Sequence, residues 1–152
     1  MKLNIRWMVK KPGESVEELT FDISYKNAED RAIKELKLAQ TLTKGYVEAV
    51  WIGGDVKALI NEEALYDKSM KDNCGFLGNI IFFRDEVDED GNGWFGSVTD
   101  EDVRKIKAWT VAHTNDRHPG GGVQVFSGQA AEDYRKKLHE HQKTQQQEWE
   151  SF

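Results

Sequence analysis

The densest group of ionisable side chains lies between positions 85 and 102: Asp85, Glu86, Asp88, Glu89, Asp90, Asp100, Glu101 and Asp102, with no lysine or arginine among them. So many carboxylates can hold a hard cation, move protons or attract a basic partner. The run Asp88-Glu89-Asp90-Gly91-Asn92-Gly93 opens like a calcium loop, whose alternating oxygens converge on one ion. Twelve positions on, counting Asp88 as the first, stands Thr99 where a bidentate glutamate is required, and the flanks read as strands. Asp88, Asp90 and Asn92 are therefore weak calcium candidates only. A solvated hairpin turn, with Asn92-Gly93 at positive φ, is the expectation. The docking alternative uses the same loop. Asp85, Glu86, Asp88, Glu89 and Asp90 flank Trp94 and Phe95, and a partner carrying Lys or Arg would relieve their repulsion and be steered toward them.

Three more acids, Glu48, Glu62 and Glu63, could do acid–base work or line a small-ligand pocket with Tyr66. No nucleophile stands beside them at a telling spacing. Glu48 most simply sits on the outer face of a strand, and Asn61-Glu62-Glu63 closes one. Of the four histidines, His139 and His141 are two apart, which on a helix turns them to different faces, while His113 and His118 straddle a loop region. With Cys74 as the lone cysteine there is no zinc-ligand spacing, so neither a metal nor a cofactor is expected. Gly120-Gly121-Gly122 is followed by Val-Gln-Val-Phe rather than the Lys-Ser/Thr of a phosphate loop. No catalytic residue can be assigned.

The bulk properties narrow the classes. A chain of 152 residues fits one domain, and five Trp, seven Phe and four Tyr can fill its core despite a mean hydropathy of −0.71. Cys74 has no partner for an internal disulfide and reads as a buried, inert thiol. The acidic segment carries −8 of a net −6, leaving the rest of the chain at +2. Lys10-Lys11, Arg104-Lys105 and Arg135-Lys136-Lys137 are short and scattered, so a nucleic-acid partner is not expected. The longest strongly apolar stretch, Ile80 to Phe83, is far from the roughly 20 residues that span a bilayer. Residues 1–6 hold no apolar run of secretory length, and a cytoplasmic setting is the expectation.

The elements that must position these residues follow from periodicity. Leu3, Ile5, Trp7 and Val9 alternate, as do Leu19, Phe21 and Ile23 after the turn residues Lys11 to Glu14, predicting a hairpin. Asn27 is the expected cap of a helix whose inner stripe is Ala32, Ile33, Leu36, Ala39 and Leu42, with Gly45 ending it. Tyr46 to Ile52 and Val56 to Ile60 form a second hairpin around Gly53-Gly54-Asp55, followed by a short helical or irregular piece at Ala64 to Met70. Phe76 to Arg84 and Trp94 to Val98 read as strands. Thr99 with Asp102 at N3 makes a capping box for a helix buried through Val103, Ile106, Trp109 and Thr110 or Ala112. After His113, a Gly-rich connection leads to a short apolar run at Val123 to Phe126 and then to a polar helix from about Gly128. Along that helix Tyr134, Leu138, His141, Gln145 and Trp149 fall on one narrow seam, which predicts a docking or dimerising arm.

Gly45-Tyr46-Val47-Glu48-Ala49-Val50, Asn61-Glu62-Glu63, Ala64-Leu65-Tyr66-Asp67, Gly78-Asn79-Ile80-Ile81-Phe82-Phe83 and Ser97-Val98-Thr99-Asp100-Glu101-Asp102 occur in that order. The series resembles a family of small phage- and plasmid-encoded domains of unknown function, over residues 35–110. The resemblance implies mobile-element origin and a cytosolic setting, with no assigned activity. The expected class is α+β, in the order ββαββ(α)ββα with a long C-terminal helix. The expected division is an α+β domain at 1–113, a Gly-rich linker and short strand at 114–127, and a helical arm at 128–152. The leading functional expectation is a phage or mobile-element accessory protein that binds a host protein and blunts a defence system. Its contacts would be Asp85, Glu86, Asp88, Glu89, Asp90, Trp94, Phe95, Tyr134, Leu138 and Trp149, with homodimerisation through the last helix as a further option. The alternatives are a ligand-binding domain or enzyme using Glu48, Glu62 and Glu63, and a weak calcium module.

Overall fold

The computed structural model describes residues 1–118 and 129–152, apart from the side chains of Leu65, Ala130, Ala131, Tyr134, Arg135 and Leu138. Among the described residues, eight strands and three helices follow in the order β1 (Lys2–Lys10), β2 (Glu17–Ser24), α1 (Ala28–Thr43), β3 (Val47–Gly53), β4 (Val56–Asn61), β5 (Asp72–Asn73), β6 (Phe76–Leu77), β7 (Ile80–Val87), β8 (Gly93–Gly96), α2 (Asp100–Ala112) and α3 (Gln129–Ser151), with a 3-10 turn at Ala64–Tyr66. The fold is α+β, with antiparallel pairing throughout. The expected Val123–Phe126 strand and the 119–128 part of the expected connection lie outside the described residues.

The large sheet has the order β2-β1-β7-β4-β3, and β8 adds to β7 off that path. β7 is central, which is why Ile80 to Phe83 is apolar without alternation: a strand covered on both faces must be hydrophobic on both. Ile81 and Phe83 join Ile5, Trp7, Leu59 and Ala39 in the core beneath α1. Ile80 and Phe82 join Met8, Ala58, Val103, Ile106 and Trp109 in the core beneath α2. β1 pairs with β7 through only three residue pairs, Met8–Phe82 to Lys10–Ile80, before β8 takes up Arg84 to Val87. The Trp7 indole N–H bridges that divergence by donating to the Phe95 carbonyl at 2.9 Å.

Both long N-terminal caps form as expected. Asn27 accepts from the Asp30 N–H, and Thr99 with Asp102 completes the capping box. Four local expectations are corrected. The helix α1 turns Arg31, Glu35, Ala39 and Thr43 inward and leaves Ile33 and Leu36 exposed, because a charged pair rather than the apolar stripe covers the sheet there. Its left-handed C-terminal residue is Lys44, at φ 65°, not Gly45. Gly45 is needed for a different reason, since a Cβ there would lie 2.8 Å from Asn61 Nδ2. The segment expected as one strand from Phe76 is broken by Gly78 at φ +80°, which lets β5 and β6 form a separate small hairpin. In the β7–β8 turn, the left-handed residue is Gly91 rather than Asn92-Gly93.

The stretch from Thr114 to His118, expected as a loose connection, is tied down. Asp116 accepts from the Gly75 N–H, Arg117 meets Asp72 at 3.3 Å, and the His118 N–H donates to Asp72 at 2.9 Å. The last turns of α3 return to the body, where Trp149 is 4% exposed in the α2-side core. Its ring lies over Gly53, where a Cβ would sit 2.3 Å from the Trp149 Cγ. Lys105 Nζ donates to the Trp149 carbonyl, Gln146 accepts from the Gly54 N–H, and His113 lies between Asp116 (2.5 Å) and Glu148 (2.8 Å) while stacking on Trp109.

Candidate functional site

Five of the eight acids of the 85–102 segment are compensated, three by cations from distant parts of the chain and two by Arg84 and Arg104 at its borders. Lys57 meets Asp85 at 3.2 Å, Arg31 approaches Glu86 at 3.9 Å, and Arg6 meets Asp100 at 2.6 Å. Arg84 Nη1 bonds both oxygens of Asp102 at 2.9 Å, and Arg104 meets Glu101 at 2.5 Å. The expectation of an uncompensated segment is thereby corrected. Of these eight acids, Asp88, Glu89 and Asp90 at the turn make no ion pair among the described residues. Asp88 is used locally. Its carboxylate accepts from the N–H groups of Asp90 and Asn92 and from the Asn92 amide, and those bonds hold it below the usual carboxyl range. The three bonds make this loop an Asx-type turn, so the calcium candidates Asp88, Asp90 and Asn92 are arranged to fix backbone.

Trp94 and Phe95 are also placed differently from expectation. Trp94 is 6% exposed and the half-buried Phe95 packs on Phe83 at 4.9 Å, so both rings are largely covered by the chain itself. Trp94 is covered by the guanidinium of Arg31, 4.3 Å from the ring centroid, in a cation–π contact. Arg31 Nε lies 3.5 Å from Glu35 Oε2, an i,i+4 pair with both residues buried. The pair is incompletely satisfied: among the described residues neither Arg31 Nε nor Glu35 Oε1 has a hydrogen-bond partner. Burial pushes the Glu35 carboxyl up to about 7 against the opposing charge of Arg31, and Glu86 adds to the rise. A cavity of about 180 Å³ opens over this pair, lined by Ala32, Glu35, Leu36, Gly93, Trp94 and Phe95. Ile33 and Leu36, large, apolar and exposed, stand on α1, which forms one side of this cavity, and the exposed Val87 of β7 pairs with Gly93 on the other side.

Sequence reasoning passed over Arg31 and Glu35 because an i,i+4 charged pair on a helix ordinarily faces water. The available signal was that both share a helical line with Ala39 and Thr43.

The opposite end of the sheet carries clefts. One of about 530 Å³ is lined by Gln40, Lys44, Gly45, Tyr46, Asn61, Glu63, Tyr66 and Asp67. Of the alternative set, Glu63 and Tyr66 are therefore brought together, while Glu48 and Glu62 are exposed and lie outside the lining. A second cleft of about 350 Å³ includes Lys11, Thr43, Lys44, Ser69, Lys71 and Asn79. A third of about 510 Å³ includes Lys10, Val16, Asn73, Lys107, Thr110 and Val111. Cys74 lies buried nearby, its Sγ 3.5 Å from the Thr110 carbonyl, and burial raises its thiol pKa.

The expected seam along α3 is resolved only in part. Trp149 faces its own core, correcting its assignment to a partner, and His141 is exposed. The assignments of Tyr134 and Leu138 fall on side chains outside the described residues. Among the described residues, no helix is long and apolar enough to cross a membrane. No protein-family model matches the sequence, nor does any curated protein or any solved structure.

Proposed function

We propose that this chain is a binding protein that docks a basic, amphipathic segment of another protein on its acidic end. The mobile-element origin, the host partner and interference with a defence system come from the motif resemblance alone and are part of this proposal. The supporting observation is the buried Glu35 carboxyl, with one oxygen lacking a hydrogen-bond partner, at an apolar cavity near three turn acids that make no ion pair. A cavity of 180 Å³ equals roughly six waters' worth of volume at about 30 Å³ each, room for one long side chain rather than a free metabolite. A lysine or arginine entering it would lay its methylenes against Leu36, Ala32 and the two aromatic rings and bring its charge toward Glu35. Asp88, Glu89 and Asp90 would steer such a segment, and Ile33 and Val87 would take its apolar residues.

The test is calorimetric titration of the protein with a Lys/Leu amphipathic peptide and with a Lys/Ser peptide of equal charge. The Lys/Leu peptide should bind, and Leu36→Asp or the triple variant Asp88→Asn, Glu89→Gln, Asp90→Asn should each weaken it more than tenfold. Equal binding of both peptides, or no effect of either variant, removes the proposal.

A further inference from the structure

We propose that the two clefts meeting at Lys44 form a single binding site for a phosphorylated nucleoside, with the base against Tyr46 and Tyr66 and the phosphate among Lys11, Lys44 and Lys71. This site lies at the lysine-rich end of the sheet and does not depend on the docking reading.

The first observation is convergence. Gly45-Tyr46, Asn61 with Glu63, Tyr66-Asp67 and Gly78-Asn79 are separate in sequence, yet they line the two adjoining cavities of about 530 and 350 Å³. Those sizes fall within the roughly 300–1,000 Å³ of small-molecule sites. The loops are locked to one another. The buried Asn61 donates to the Thr43 carbonyl at 3.1 Å and accepts from the Glu63 N–H at 2.8 Å; the Glu62 N–H donates to the Tyr46 carbonyl; Asn79 donates to the Leu42 carbonyl at 2.8 Å. Supporting bonds of this kind preorganise a site.

The second observation is the chemistry of the walls. Tyr46 is 63% exposed and Tyr66 80%, an arrangement that leaves two aromatic faces in water at one cleft. Such rings are stacking platforms, and every nucleobase has a face to offer. Glu63 and Asp67 share that cleft and suit ribose hydroxyls and base amines, while their charge directs a phosphate away. Ser69 holds Asp67 below the usual carboxyl range through side-chain and backbone bonds. In the neighbouring cleft Lys11, Lys44 and Lys71 outnumber its one acid, Glu14, and among the described residues none of the three makes an ion pair.

The third observation is strain. Lys44 holds φ 65°, a conformation that a side chain disfavours and that glycine would adopt freely. Lys44 lines both clefts, so a ligand that spans them would bear directly on the residue that carries this strain. The net charge of −6 opposes a long polyanion, so the mononucleotide is favoured over an oligonucleotide.

Titration of the full chain with adenosine and uridine monophosphates, adenosine, inorganic phosphate and an eight-nucleotide deoxythymidine oligomer tests this. At least one monophosphate should bind with Kd below about 1 mM, with adenosine and phosphate each at least tenfold weaker. Tyr46→Ala and Tyr66→Ala should each weaken binding about tenfold, and Tyr→Phe at either position should preserve it. Lys44→Gly should weaken binding while raising Tm by about 2 °C, a combination that no folding defect can produce. Failure of both monophosphates, equal affinity for phosphate alone, binding of the oligomer alone, or an unchanged affinity in Lys44→Gly overturns the proposal.

Discussion

At the Val87 end of β7, Arg6, Arg31, Lys57 and Arg84 each meet a carboxylate, whereas at the Ile80 end Lys11, Lys44 and Lys71 meet none among the described residues. The helices help to explain the sorting. The capped N-termini of α1 and α2 lie toward the acids, and the C-terminus of α1 carries Lys44, an arrangement that complements both helix dipoles. The two ends nonetheless commit their charges differently. A paired, half-buried charge is part of the fold, because removing its partner strands it; a solvated lysine can be removed at little structural cost and is available to a ligand.

That contrast can be broken by substitution. Arg31→Ala should cost about 3 kcal/mol in urea denaturation, since it uncovers the Trp94 ring and removes the counter-charge of Glu35, which escapes part of the penalty by taking up a proton. A cost below 1 kcal/mol would show that the buried pair is dispensable. Next comes pH. With Glu35 at about 7 in the folded chain against an ordinary 4.5, its protonated form favours folding below about pH 4.5, and that contribution fades as pH rises through 7. The stability difference between the wild type and Glu35→Gln should thus shift by about 3 kcal/mol between pH 4.5 and 8, with the wild type losing ground at high pH. A difference independent of pH would place the carboxyl in water. Thr99→Ala, which removes the cap of α2 at the acidic end, should cost about 1 kcal/mol by thermal melt. Smallest of all, the double variant Lys11→Gln, Lys71→Gln should change stability by less than about 0.5 kcal/mol. A larger loss would mean that the lysine end is as structural as the other.

Much of this architecture can be read from the chain. Alternation in Leu3 to Val9, the uninterrupted apolar run at Ile80 to Phe83, and Thr99 with Asp102 each specify one local arrangement and were legible for that reason. The expected stripe of α1 holds at Ala39 and Leu42 but fails at Ala32, Ile33 and Leu36, because hydrophobicity cannot anticipate a charged pair, Arg31 and Glu35, that covers an indole. The acids of the 85–102 segment looked uncompensated because their partners, Arg6, Arg31, Lys57 and Arg84, are contributed by other strands and by α1. Of Glu48, Glu62, Glu63 and Tyr66, only Glu63 and Tyr66 line one cleft, and Lys44 beside them has no sequence signal, since nothing local announces a lysine in a left-handed conformation.

Gly53 and Trp149 form a socket and its plug, with the ring lying where a β-carbon would be. Neither can vary alone. Adding a methyl at Gly53 expels the indole much as deleting the indole does, so Gly53→Ala and Trp149→Ala should be strongly epistatic, the second change costing little once the first is made. The glycine in the β3–β4 hairpin is therefore a remote release for the last helix, able to free it with every residue of that helix intact.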